Sequence, residues 1–402
     1  MEKMTKDARP SVMRVDANYA VVQSSYWGSY CALAAFTTIY LSYRGLTDAQ
    51  IGVSTSLMSA LAILLQATVS NFCDHHMRLP IKRVISALFL VGICVAGLYA
   101  NLPMPIGLLV GAYAVTYAVG NCNNGLLNAQ LMQFNNVGIP AHYGWPRGCG
   151  SICYAALAWV YGILAEQYTP AILPKLYIAG TAVCILAVLL MPDPYKGMDM
   201  EQLTGGRTKA TSYRAMLQGN TPLMVFLGCV MLYAIGQAAS FIFMIRVIER
   251  LGGGTAEYGL SEFARAGVEM PMLFLSPLLL KKSNPKALMV FSFICYGLRA
   301  LAVTFAPSLG WLYAACTLNM FCSGIYVFAS VIMVNTMVRM TEKVRAQSLV
   351  ALFGSIGSII GNAYGGFMLN ILGLTGMMVS ASLFCFAAAA VLAVFCHPRE
   401  GR

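Results

Sequence analysis

Three residues of this 402-residue chain have the type and the setting to do chemistry in an apolar medium: Glu269, Arg299 and Arg147. Glu269 is the one acid of 15 that falls well inside a long apolar run, and Arg299 lies inside the next run. Arg147 opens another, directly after Tyr143-Gly144-Trp145-Pro146. A charge at the centre of a bilayer costs about 2.5–3.5 kcal/mol on insertion scales, so each needs a reason. A buried carboxyl can take up and release a proton, because drying favours its neutral form and water or a nearby cation its charged form. Proton coupling at Glu269, with Arg299 as its cross-helix partner, is the chemistry these two residues suggest. Plainer readings stand beside it. Glu262, Arg265 and Glu269 fall at i, i+3 and i+7, so Arg265 could simply neutralise Glu269 one turn away. Arg147 could be an interface anchor that snorkels to water, and Arg299 with Glu269 a purely structural pair.

Uncharged polar residues add a second layer. One apolar run carries Asn121, Asn123, Asn124, Asn128 and Gln130, and the first carries Gln23, Ser24, Ser25, Tyr26 and Trp27. Further on come Tyr233 and Gln237, then Asn319, then Asn362 and Tyr364. Amides and aromatics suit a solute with hydroxyls or amides, since they offer donors and acceptors more cheaply than charge does. The competing role is helix–helix hydrogen bonding, worth about 0.6 kcal/mol on average. The concentration of amides around Asn124 and Asn128 favours a polar cavity.

The elements that must position these residues follow from composition. Hydrophobic residues make up 58% and charged residues 10%, against about 25% charged in soluble domains. That excludes a disordered chain, a nucleic-acid binder and a soluble two-domain enzyme. Stretches of roughly 20 apolar residues, the length that crosses a bilayer, recur near 17–41, 51–72, 84–100, 106–132, 147–165, 173–191, 221–245, 258–280, 287–305, 311–337, 348–372 and 376–396. They lack the two-residue alternation of a β-barrel. The expectation is an all-α membrane protein of twelve spans. The longest polar stretch, 192–220, reads as a cytoplasmic linker between a six-helix bundle at 1–191 and another at 221–402. Glycines at 148, 150, 354, 357 and 361 suit close helix packing.

The basic residues set orientation. With the N-terminus cytoplasmic, 20 of the 26 basic residues fall on that face, and Arg44, Lys175, Arg246, Arg250, Arg265 and Arg299 are the other six. Such a bias places both termini inside and accounts for the net charge of +11 without nucleic acid. The first sixteen residues read as a charged segment without a signal-peptide cleavage site. The 13 cysteines sit mostly in spans as small packing residues, and the four histidines form no ligand cluster. No metal or cofactor is expected, and no phosphate-binding glycine loop is present.

The loop Ser70-Asn71-Phe72-Cys73-Asp74-His75-His76-Met77-Arg78 resembles the signature G-x-x-x-D-R/K-x-G-R-K of the major facilitator superfamily. Asp74 and Arg78 match, while Ser70 and Met77 replace both glycines. The resemblance implies a gating role for Asp74 and Arg78, a charge pair switched as two halves rock. Tyr143 to Tyr154 resembles the span-five motif of the lactose permease group, in which an arginine and an aromatic hold the substrate; Arg147 and Tyr154 occupy those places. Glu269-Met270-Pro271 followed by Leu280-Lys281-Lys282 is similar to the nucleoside and phenylpropionate proton symporters of that group. The departures are equally specific. Ala129 stands where the permease has its span-four acid. Cys316, Asn319 and Cys322 replace its span-ten Lys, His and Glu, and Ala234 and Gln237 its span-seven acids.

The expected architecture is therefore the major facilitator fold, with two pseudo-symmetric bundles around a central cavity. The expected function is secondary transport, as a monomer in the inner (plasma) membrane, of a small polar organic solute such as a sugar, glycoside or nucleoside. Arg147, Tyr154, Asn124, Asn128, Gln237 and Asn319 would bind the solute, and Glu269 and Arg299 would couple it to protons. The rivals are a uniporter or exchanger, a drug or aromatic-acid transporter, a membrane receptor and an intramembrane enzyme. The last two want for a signalling domain and a catalytic constellation.

Overall fold

The computed structural model describes residues 10–76, 79–194, 216–218, 220–269, 271–272, 275, 279, 283–339 and 342–396, with no strand among them. In chain order the helices are α1 (Val12–Ala34), α2 (Thr37–Tyr43), α3 (Asp48–His75), α4 (Ile81–Asn101), α5 (Ile106–Asn136), α6 (Gly144–Gln167) and α7 (Leu173–Leu190). There follow α8 (Thr221–Ile242), α9 (Met244–Arg250), α10 (Thr255–Gly267), α11 (Pro285–Thr304), α12 (Leu309–Thr317), α13 (Ile325–Met337) and α14 (Lys343–Phe395). Every expected span has a helix over it, α10 covering the first part of 258–280. Eight helices among the described residues are long and apolar enough to cross a membrane by length and composition. Neither α1 nor α5 is among them, since amides and hydroxyls lower their hydropathy.

Sequence signals explain the helix ends. Ser11, Asn220, Asn284 and Ser308 each accept a backbone N–H of the first turn on their side-chain oxygen, the usual job of an N-cap. Three helices carry proline in their first two positions, Pro174, Pro222 and Pro285, where its missing N–H costs nothing. The last two expected spans run as one α14, interrupted only at Gly373, where φ is 68° and ψ 177°, a conformation glycine adopts freely.

Three local features differ from the sequence reading. The first helix starts at Val12, inside the segment read as a charged tail, and buries Asp16, which takes the His142 backbone N–H at 2.9 Å. The first expected span splits into α1 and α2. The span expected over 311–337 is broken by a π-helical turn, Met320–Gly324, between α12 and α13.

Packing divides the chain into two compact units. The first comprises Met1–Phe36, Leu61–Leu157 and Ala171–Arg207; the second comprises Thr37–Ala60, Ala158–Pro170 and Thr208–Arg402. The division runs through α3 and α6, so the second unit takes in segments that the sequence reading placed with the N-terminal bundle. Most of the expected 192–220 linker lies outside the described residues.

In the first unit α1 packs on α7, and α4 on α5 and α7, around Tyr19, Tyr26, Phe89, Leu127 and Phe134. In the second, α14 packs along α8 and α11 over Phe226, Tyr233, Phe293 and Tyr296. The α8–α14 contact depends on glycine. A Cβ added at Gly357 or Gly361 would run into the carbonyl oxygen of Met231 or Ile235. Gly354 is different, with Val230 Cγ1 at an ordinary 3.8 Å.

Candidate functional site

The first unit gathers its polar side chains on α1, α5 and α6. Pro146 lies in the first turn of α6, and Arg147 beside it is half-buried. The Arg147 guanidinium lies over the Trp27 ring, 4.1 Å from its centre, and Nη1 donates to Ser151 Oγ at 2.7 Å. This is a stacked, tethered arginine rather than one reaching for water. Tyr154, one helix face further on, sets its ring edge-on to Trp27 at 6.2 Å, so Trp27 unites the two residues of the span-five motif.

From Trp27 a directed hydrogen-bond chain leads to α5. Trp27 Nε1 donates to Gln23 Oε1 at 2.9 Å, Gln23 Nε2 to Tyr19 OH at 2.5 Å, and Tyr19 OH to Asn128 Oδ1 at 3.1 Å. Because each link donates in the same direction, the chain ends on an amide oxygen. The half-buried Asn128 keeps its NH2 group, with its two N–H donors, unengaged among the described residues. Tyr19, Gln23 and Trp27 fall at i, i+4 and i+8, one face of α1. That spacing was a signal; Tyr19, unmarked in the sequence reading, is the residue it would have added.

The α5 amides divide by face. Asn121, Asn124 and Asn128 share one at i, i+3 and i+7. Asn121 donates to Tyr30 OH at 2.7 Å, and Asn124 is half-buried with no hydrogen bond from its side chain among the described residues. Asn123 and Gln130, also seven apart, turn into the core. Asn123 is fully buried, and neither its Oδ1 nor its Nδ2 has a partner among the described residues.

The second unit holds Glu262 and Glu269. Glu269 Oε1 accepts from Asn319 Nδ2 at 2.8 Å and from the Ser323 hydroxyl. Asn319 Nδ2 also faces Ser323 Oγ at 2.8 Å and the Arg265 carbonyl at 3.2 Å. The π-helical turn makes this possible. Its extra residue per turn carries Ser323 toward Glu269, and Ser292 Oγ satisfies its Cys322 carbonyl at 2.8 Å. Such turns recur at functional sites. At Gly324 an added Cβ would lie 2.9 Å from Met272 Cβ, so the turn and the segment carrying Glu269 are closely fitted.

Two expectations are corrected here. Glu269 is not the sole acid within its span, since Glu262 is 1% exposed. Arg265 is committed to Glu262, with Nε to Oε1 at 2.9 Å and Nη2 to Oε2 at 2.6 Å, and reaches Glu269 only at 3.9 Å. A fork-shaped guanidinium gains most from one carboxylate held bidentately, and the i,i+3 neighbour offers that geometry. Arg299 makes no ion pair with Glu269 or any other acid among the described residues; it lies over the Tyr296 ring at 5.5 Å.

Of the other residues singled out in the sequence, Gln237 is half-buried on α8, and its side chain makes no hydrogen bond among the described residues. Asp74 belongs to the last turn of α3, but its side chain and Arg78 lie outside the described residues.

Comparison with known proteins agrees with the helical fold. The model of the MFS_1 like family matches residues 18–389. No curated protein matches the sequence. Among solved structures the chain is similar to the nucleoside transporter NupG, with a TM-score of 0.77 at 13% identity, covering 97% of this chain and 100% of that one. It is similar to a bacterial homolog of the human lysosomal transporter Spinster, with a TM-score of 0.72 at 15% identity over 97% and 98% of the two chains. It is also similar to the human organic anion transporter MFSD10, with a TM-score of 0.65 at 11% identity over 96% and 100%. At these identities the structural likeness speaks for the fold. The chain belongs to the MFS_1 like family and is an all-helical, multi-pass membrane transporter of the major facilitator type, not an enzyme.

Proposed function

We propose that this transporter moves a small polar organic solute, a sugar, glycoside or nucleoside, by alternating access in symport with protons. The observation that carries the coupling is the division of labour between Glu262 and Glu269 of the second unit. Glu262 holds Arg265 in a bidentate pair, so Glu269 is held mainly by the neutral donors Asn319 and Ser323. A carboxyl held by neutral donors can exist in both protonation states, whereas one locked to a guanidinium stays charged. On the solute side, Arg147, Tyr154 and the unengaged amides of Asn124 and Asn128 supply donors on an aromatic platform. Gln237 and Asn319 supply further amides in the second unit. A nucleoside is the cargo named for one of the similar structures, which supports the class without choosing within it.

In this reading both termini are cytoplasmic, residues 1–191 and 221–402 act as the two rocking halves of a monomer, and Asp74 with Arg78 gates them. Uptake into proteoliposomes with and without an imposed pH gradient tests the coupling. Glu269→Gln is expected to lose gradient-driven accumulation while keeping solute counterflow; accumulation at the wild-type level would leave the protein a uniporter or exchanger.

A further inference from the structure

Arg299 is 7% exposed on α11, yet it donates no hydrogen bond and makes no ion pair among the described residues. Its Nε is sealed from solvent, and neither it nor the two terminal amino groups has a hydrogen-bond partner among the described residues. A guanidinium is charged at every physiological pH, so it cannot escape burial by losing its proton as a lysine would. A buried charge without a counter-ion is a strongly unfavourable arrangement. The surroundings do not supply the missing charge. Tyr296 lies under the guanidinium, and the Tyr233 ring beyond it is 4.6 Å from Tyr296, 4.9 Å from Phe293 and 5.0 Å from Tyr326. Both acids that could have answered it are engaged elsewhere, Glu262 with Arg265 and Glu269 with Asn319 and Ser323.

We infer that Arg299 is an anion-recognition site: the solute carries a carboxylate or phosphate group that docks bidentately on the Arg299 fork. The planar donor pair matches two anionic oxygens, and the apolar, aromatic setting strengthens that attraction by excluding competing water. The inference narrows the solute of the preceding section to an acidic derivative of those classes, such as a sugar acid or a phosphorylated sugar or nucleoside. It rests on the reading of this chain as a solute transporter but not on Glu269 being the proton site.

Equilibrium binding to the purified full-length protein tests it, with benzoate and inorganic phosphate as probes and benzamide as the uncharged control. At least one anion is expected to bind about tenfold or more tightly than benzamide, and Arg299→Lys, which keeps charge but loses the fork, to weaken it about tenfold. Arg299→Gln is expected to abolish the preference. The preference of the wild-type protein for an anion over benzamide is readable even if a variant fails to fold. The inference is overturned if neither probe outbinds benzamide, or if a folded Arg299→Gln protein binds both as the wild type does. Anion binding at Arg299 without gradient-driven accumulation would support the site and overturn coupled transport alone.

Discussion

Glu262, not Glu269, owns Arg265: the two side chains meet at 2.9 and 2.6 Å, and the same guanidinium stands 3.9 Å from Glu269. The buried pair thus acts as a fixed ionic strut that also keeps a cation in reserve one turn from the candidate proton site. Glu262→Gln should release that cation toward Glu269. The expected outcome is loss of gradient-driven uptake with counterflow retained, and a destabilisation of about 3 kcal/mol from the half-broken buried pair. Adding Arg265→Gln should recover much of the stability, since no uncompensated charge then remains. A double-mutant cycle on thermal melting measures the coupling; additive losses would mean that the strut does not exist.

Trp27 is the platform on which Arg147 rests. A cation–π contact of this kind is worth about 0.5–2 kcal/mol, rising as the site is drier. Trp27→Ala should therefore raise the KM for solute uptake by a few-fold to about thirtyfold, and Trp27→Phe, which keeps a ring, by less. Because Gly150 packs on Trp27 Cδ1, with an added Cβ 2.8 Å away, Gly150→Ala should displace the indole and mimic the loss. Transport kinetics that ignore all three variants would remove Arg147 and Trp27 from the binding surface.

What could be read from the sequence follows from how local each determinant is. Hydropathy over some twenty residues is local, so the spans were legible, down to the break near Gly373. The face shared by Asn121, Asn124 and Asn128 and the α1 row of Tyr19, Gln23 and Trp27 were legible in principle, since both are i, i+3/i+4 spacings. The π-helical turn was not. Nothing in Met320-Phe321-Cys322-Ser323-Gly324 asks for an extra residue per turn; Ser292 and Met272, distant in sequence, accommodate it. The partner of Arg299 was misjudged for a similar reason. Two opposite charges on successive spans look like a pair until a third residue, here Asn319, is seen to occupy the acid.

The contrast between Gly361 and Gly354 on α14 gives a packing test. A methyl group at Gly361 meets the Ile235 carbonyl, while one at Gly354 finds its nearest atom 3.8 Å away. Overpacking a tight contact costs about 1–3 kcal/mol. Gly361→Ala should lower the melting temperature clearly, and Gly354→Ala should leave it unchanged or raise it. Equal effects of the two substitutions would show that α8 and α14 do not approach as closely as described.

Asp48 and Arg246 form a different ion pair in the second unit. Asp48 Oδ1 takes Arg246 Nη2 at 2.6 Å and Nε at 2.9 Å, and the same arginine donates to Ser42 and Glu249, each at 2.8 Å. Both members are about a quarter exposed, so water and salt weaken the attraction. Asp48→Asn should cost no more than about 1 kcal/mol. Arg246→Gln should cost more, because Asp48 and Glu249 then face one another without their shared cation. Arg246→Lys should fall between, keeping the charge but not the fork. All three differences should shrink in about 1 M salt, where the screening length falls to about 3 Å. Thermal melts at low and high salt provide the check: a penalty that persists undiminished in high salt would mean Arg246 acts through packing rather than charge.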